Sequence, residues 1–277
     1  MIVWPVAAVV LVGVLVRQGV LGRRGLAAAP ERAGALSPLD LLIVFGLVMF
    51  GYLGLGLVLA VFTGGVETLD KADPVTQIRV VWLQYVCLAP AIGFILIRAS
   101  SAMRGGLGGF GFALSRPFWT ALWTLATILT LIVVYPSVGL IVGELGELIT
   151  GEPPPAIAHP LLEAIVESDV SKRMLLIIPA VVLAPIFEEI MYRGMLQTTL
   201  LNTGVLPGRW SVVVVASVVF TGIHAGGVDW QALPSLFVLS LCLGYAYERT
   251  GRLWPSILIH MLFNAANVAL AFVQFGD

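Results

Sequence analysis

Charge is what this sequence has least of. Only 11% of its 277 residues are charged, against roughly 25% in an ordinary soluble domain. Meanwhile 59% are hydrophobic and the mean hydropathy is +1.00. An ordinary water-soluble globule is excluded at that density, and the bilayer becomes the solvent to reason with. Positive charge is not in excess either. The formal net charge is −1, so no basic stripe exists to neutralise phosphates, and nucleic acid is excluded as a partner. Cysteine is scarce: Cys87 and Cys242 stand singly in apolar runs, which removes CxxC redox motifs and cysteine zinc sites and leaves core packing for both. The sequence also lacks the HExxH of zinc proteases and the GxSxG of serine hydrolases. The glycine-rich RGGLGGFGF, Arg104 to Phe112, lacks the lysine–serine ending of a phosphate loop. It is expected to be a flexible interfacial turn. No inverted internal repeat of the transporter kind is visible.

Long apolar runs, by contrast, are abundant. A hydrocarbon core about 30 Å thick needs about 20 helical residues, and eight stretches approach that length: 2–20, 39–62, 78–97, 117–143, 174–201, 210–226, 230–248 and 253–275. The expected fold is therefore all-α, a polytopic membrane helix bundle of about eight transmembrane helices. It divides into four N-terminal spans with an outer amphipathic loop (1–173) and a C-terminal four-span core (174–277), within one integral membrane domain. The first stretch has its positive charges after the apolar core, which reads as an uncleaved anchor and not as a signal peptide.

Loop charges orient this bundle. With the N-terminus outside, Arg17, Arg23, Arg24, Arg32, Arg98, Arg104, Arg116, Arg209, Arg249 and Arg252 fall inside, and Lys71, Arg79, Lys172 and Arg173 outside. The positive-inside rule then places both termini outside. The outer loops carry acids, among them Glu67, Asp70 and Asp73. The bias fits a bacterial plasma membrane. The loop GEPPPAIAHPLLEAIVESDVSKR contains a short amphipathic pattern, Leu161, Leu162, Ile165 and Val166. It is expected to lie as a surface helix on the outer leaflet, a connector or the cover of an entrance.

Within the last four spans the ionisable groups are few: Glu188, Glu189, Arg193, His224 and His260. An Asp, Lys or Arg at a helix centre costs on the order of 3 kcal/mol, so FEEIMYRGML, residues 187–196, needs compensation. Glu189 and Arg193 are four apart with the acid first, the favourable order for an ion pair. Glu188 points about 100° away from Glu189 and is left as the free reagent. Pro185 cannot donate a backbone hydrogen bond and loosens the helix one turn earlier, which a watery cavity would accommodate. His224 closes FTGIH. His260, Asn264 and Asn267 share one stripe of the last helix at i, i+4 and i+7. Such groups can knit helices together or present donors to a developing negative charge.

The order EEIMYR (188–193), FTGIH (220–224) and HMLFN (260–264) resembles the EExxxR, FxxxH and HxxxN motifs of the CAAX-protease and bacteriocin-processing (CPBP, or Abi) family of intramembrane endopeptidases. The resemblance spans about residues 174–270. It implies Glu188 as the general base that activates water, His224 orienting or sharing the proton, and His260 and Asn264 as the oxyanion hole, with Glu189 and Arg193 in support. The substrate would be a membrane-anchored peptide or protein, lipidated or recognised by a C-terminal motif. Family members have been described both as metal-independent glutamate enzymes and as metalloproteases. No cofactor is favoured here, because no independent zinc spacing is present; were zinc used, Glu188, His224 and His260 would be its ligands. Two rivals stand beside this reading. Ser256 and His260 lie four apart and suggest a serine enzyme, although Ser256 beside Pro255 is placed to cap a helix. A non-catalytic membrane scaffold or bacteriocin-immunity protein would use the same polar groups only to join helices.

Overall fold

The computed structural model describes residues 3–22, 24–63, 74–153, 155 and 160–275. Arg23, the loop residues Glu67, Asp70, Lys71 and Asp73, and residues 154 and 156–159 lie outside them. Each apolar run is a helix: α1 (Val3–Arg17), α2 (Pro38–Thr63), α3 (Pro74–Ala102), α4 (Pro117–Thr150), a broken span over Val170–Thr203, α9 (Gly208–His224), α10 (Leu233–Thr250) and α11 (Leu253–Phe275). The short α5 (Pro160–Glu167) precedes the broken span. Among the described residues the only strand-like pairing is the bridge Gly34–Met103, so the bundle is all-α. By length and composition five described helices can cross a membrane: Pro38–Val61, Val75–Ala102, Pro117–Thr150, Val170–Thr203 and Leu253–Phe275. α1 and α9 are apolar but shorter. The expected count of about eight is therefore not established on this criterion.

Connections that the sequence assigns to one side do meet at one end of the bundle. Ala35 N–H donates to Ala102 O at 2.9 Å and Arg104 N–H to Ala33 O at 3.0 Å. Trp210 Nε1 donates to Gly22 O at 2.7 Å, and Arg209 Nη2 to Pro30 O at 3.1 Å. Two acids at this end are already taken: Glu248, fully buried, binds Arg32 and Arg209, and Asp40 binds Arg98 at 2.6 Å. The start of α2 is set by a capping box. Ser37 N–H donates to Asp40 Oδ2 at 2.9 Å while Asp40 N–H reaches Ser37 Oγ at 3.4 Å, which satisfies two orphan amides of the first turn.

Helix α10 occupies the middle, against α4, α9 and α11. Its buried face alternates small and large residues, including Ser235, Leu239, Ser240, Leu243 and Gly244, and small residues let helix backbones approach closely in lipid. The outer faces are apolar, with Phe45, Leu53, Val86, Ile97 and Leu129 exposed. That is the pattern of a protein whose solvent is hydrocarbon.

Two loop expectations are corrected by packing. The glycine-rich stretch does not stay as a flexible interfacial turn. Residues Gly108–Phe112 form a π-helical turn that inserts into the bundle. Phe110 is fully buried, and Tyr247 Oη donates to Phe110 O at 2.7 Å. Gly111 adopts φ 132°, a region that side chains rarely enter, and a Cβ there would meet Leu253 and Tyr247. Glycine in this loop serves close approach. Likewise α5 packs on protein. Ile165 is 1% exposed and clusters with Leu176, Ala180 and Val268, because α5 packs against both α6 (Val170–Ile178) and α11.

The Phe110 ring rests on Gly194, where an added Cβ would collide with it. Gly194→Ala is expected to destabilise the fold by about 1–3 kcal/mol through overpacking, read as a lower unfolding temperature in detergent. Adding Phe110→Leu should recover part of the loss. An unchanged unfolding temperature in the single variant would contradict this packing.

Candidate active site

The broken span carries the site. Its α-helical pieces α6, α7 (Ala184–Glu188) and α8 (Thr198–Thr203) are separated by π-helical segments at Pro179–Leu183 and Glu189–Gln197. The first break follows from proline chemistry. Ala184 N–H bonds Pro179 O, five residues back, so the next carbonyl in that register, Ala180 O, faces the nitrogen of Pro185, which has no hydrogen. Asn264 Nδ2 from α11 donates to Ala180 O at 2.8 Å. A polar residue of the last helix thus completes the helix that bears the two glutamates, and π-segments of this kind recur at functional sites.

Glu189 and Arg193 are fully buried, at 0% and 1% exposure. Arg193 Nη1 donates to Glu189 Oε1 at 2.8 Å. Its Nη2 reaches Ser240 Oγ at 2.7 Å and Ser240 O at 3.2 Å, and the guanidinium lies 4.6 Å from the centre of the Phe220 ring. The same Oε1 is 2.9 Å from His260 Nδ1. A carboxylate that serves only as a counter-ion would not need the histidine. Here it also fixes the imidazole, whose Nδ1 must carry the proton to bond an ionised carboxylate.

Glu188 behaves differently. Its side chain is 26% exposed, and His260 Nε2 lies 3.8 Å from its Oε2, beyond hydrogen-bond range. It faces a cavity of about 370 Å³ shared with His224, His260, Asn264 and Asn267. His224 Nδ1 is 2.7 Å from Phe220 O; that carbonyl can only accept, so Nδ1 carries a proton there. Phe220 is fully buried between Tyr192 and His224, with ring centres at 5.1 and 4.6 Å. The remaining wall is mostly apolar and includes Leu161 and Leu162 of α5, with Val268. The connection that carries α5 therefore contributes to the cavity itself.

Each residue singled out in the sequence is placed: Glu188, His224, His260 and Asn264 on one cavity, and Glu189 with Arg193 behind it. Ser256 is elsewhere. It is fully buried, its Oγ donates to Leu243 O at 3.0 Å, and it neither caps α11 nor lines the cavity. Beside the bond from Asn264 to Ala180 O, the partnerships of Ser240 with Arg193 and of Glu189 with His260 were not legible in the sequence. All are contacts between helices, for which spacing along one helix carries no signal. As for zinc, Glu188, His224 and His260 have suitable donor atoms, but among the described residues no three His, Cys, Asp or Glu side chains gather closely enough to hold an ion. His260 Nδ1 is committed to Glu189, which leaves Nε2 as the one nitrogen of that ring able to ligate.

Residues 170–266 match a family model described as type II CAAX prenyl endopeptidase Rce1-like. The matched segment contains Glu188, Glu189, Arg193, His224, His260 and Asn264 and coincides with the segment bearing the three motifs. No curated protein and no solved structure matches the chain.

Proposed function

We propose that this chain is an intramembrane endopeptidase that hydrolyses peptide bonds of membrane-anchored substrates, lipidated or bearing a C-terminal recognition motif, with Glu188 as the base. The observation that carries this reading is the contrast between adjacent acids. Glu189 is buried and bonded to two cations or potential cations, whereas Glu188 faces a largely apolar cavity beside two imidazoles and an amide. A scaffold that only joined helices would bury and pair both acids. The matched family is consistent with protease activity in a membrane.

In this mechanism a water between Glu188 and the scissile carbonyl gives its proton to the carboxylate as its oxygen attacks carbon. The oxyanion is met by Asn264, whose second amide hydrogen is free of Ala180 O, and by His260 Nε2–H when the ring is protonated. Glu189 stabilises that imidazolium from the other side. Glu188 then passes the proton to the leaving amine, with His224 Nε2 sharing it. The nitrogen departs as amine and the carbonyl carbon as carboxylate, so no metal is required in this proposal. The location in a bacterial plasma membrane with both termini outside belongs to the same reading.

The test reconstitutes the full chain in vesicles with a membrane-anchored peptide and follows the appearance of new C-termini. Asn264→Ala is expected to lower the rate about 100-fold or more, with unfolding temperature measured alongside because Asn264 also holds Ala180 O. Wild-type rates in a folded Asn264→Ala protein would remove it from the oxyanion hole. Complete inhibition by a serine-directed phosphonate would overturn the glutamate mechanism.

A further inference from the structure

A second recess lies on the opposite side of α11 from the cavity. This groove, about 320 Å³ in volume, runs between the first half of α4 and the start of α11. Its walls are almost wholly apolar, with Ala121, Leu125, Ile128, Pro255 and Leu258 among them, and Arg252 and Ser115 stand in its lining as the charged and polar groups at the arginine-rich end. Arg252 Nη1 donates to Gly108 O at 3.2 Å and its Nη2 to Ser115 Oγ. A guanidinium has five N–H donors, so three remain. Ser115 accepts from the arginine, which leaves its own O–H to donate outward.

Among the described residues no carboxylate pairs with Arg252 or with Arg116, the residue after Ser115, whereas Glu248 and Asp40 at the same end are consumed by other arginines. Arg116 also takes a left-handed backbone, φ 54°, alone among described non-glycine residues. Such conformations persist where surrounding structure holds them and collect at binding sites. Exposed Trp254 lines the groove, and exposed Trp119 follows two residues after Pro117 of its lining. Aromatic rings of this kind mark the level of lipid headgroups. An arginine with spare donors and no carboxylate partner among the described residues therefore stands in the lining of an apolar slot.

We propose that this groove binds an anionic phospholipid, its phosphate held by Arg252 and the Ser115 hydroxyl with Arg116 alongside, and one acyl chain lying between α4 and α11. Basic pockets between membrane helices bind anionic headgroups by this logic. The site is independent of peptide hydrolysis, although α11 would then carry lipid on its Trp254–Leu258 face and the cavity on its His260–Asn264 face.

The experiment titrates the purified full chain in neutral detergent with dioleoyl phosphatidylglycerol, dioleoyl phosphatidylcholine and glycerol 1-phosphate, and reads adducts by native mass spectrometry with unfolding temperature in parallel. Phosphatidylglycerol is expected to bind about five-fold tighter than phosphatidylcholine or more, and glycerol 1-phosphate not to bind. Arg252→Gln should reduce phosphatidylglycerol to the phosphatidylcholine level. Ala121→Trp, which fills the groove from an exposed position and spares the arginine, should remove both lipid adducts. Should Arg252→Gln not fold, Ser115→Ala with Arg116→Gln, both at exposed positions, takes its place with the same expectation. Equal binding of the two lipids by the unmodified chain, persistence of the anionic preference in the headgroup variants, or binding of glycerol 1-phosphate as tight as that of the phospholipid would overturn the proposal.

Discussion

Glu188→Gln is expected to yield a folded protein whose peptide cleavage is lower by about 10²- to 10⁴-fold, the usual contribution of a positioned general base. The substitution keeps the shape of the side chain and removes only its ability to take a proton. Stability should hardly change, since the Glu188 carboxylate is partly exposed to the cavity and His260 Nε2 is 3.8 Å from it, beyond hydrogen-bond range. Glutamine there strands no buried partner. Measurement of kcat and KM separately is informative: loss of the base lowers kcat and leaves KM near its original value. Cleavage at the wild-type rate by a folded Glu188→Gln protein would end the mechanism proposed above and return the scaffold reading to first place.

Arg193→Met carries the largest expected effect on the fold. Removing one partner of a buried ion pair leaves an uncompensated charge and costs about 3–5 kcal/mol. Glu189 would lose its bond from Arg193, Ser240 would lose the guanidinium at 2.7 Å, and the Phe220 ring would lose the cation above it. His260 alone would then face the buried carboxylate. The companion variant is Glu189→Gln with Arg193→Met, in which no buried charge remains. It is expected to be more stable than Arg193→Met alone, because coupled residues do not add, while still misplacing His260 and so remaining impaired in cleavage. Denaturant unfolding in detergent distinguishes these outcomes. An Arg193→Met protein as stable as wild type would mean that the pair does not hold this helix in the bundle.

Under the proposed mechanism the stretch FEEIMYRGML, residues 187–196, divides between two jobs, and the sequence carries much of that division. The i,i+4 order of Glu189 and Arg193 brings them onto one face of a helix whatever surrounds it, and adjacent residues on a helix must point apart. Pro185 announces a break for a similar reason: the missing N–H is a property of the residue. What spacing could not supply was the repair. That Asn264 answers the carbonyl freed by Pro185, 84 positions earlier than itself in the contact to Ala180, depends on how α11 lies against the broken span. The glycine-rich loop departs from the flexible turn expected of it for a related reason. Glycine permits both flexibility and close approach, and only the neighbours Tyr247, Leu253 and Gly194 select the second.

By itself the sequence determined the solvent and the element type. Hydrocarbon leaves helices as the way for apolar runs of this kind to satisfy their backbone, and each apolar run is a helix. It also determined the order of the three motifs and the separation of one paired acid from one unpaired acid, since these are local consequences of helical geometry. Tertiary structure decided what could not be local. It brought Glu188, His224, His260 and Asn264 onto one cavity, turned Ser256 away from it, and made Glu189 the partner of both Arg193 and His260. It also folded α5 into the cavity wall and seated Phe110 on Gly194. The physical reason is that contacts between helices are set by the packing of whole faces, to which residues far apart in the chain contribute together.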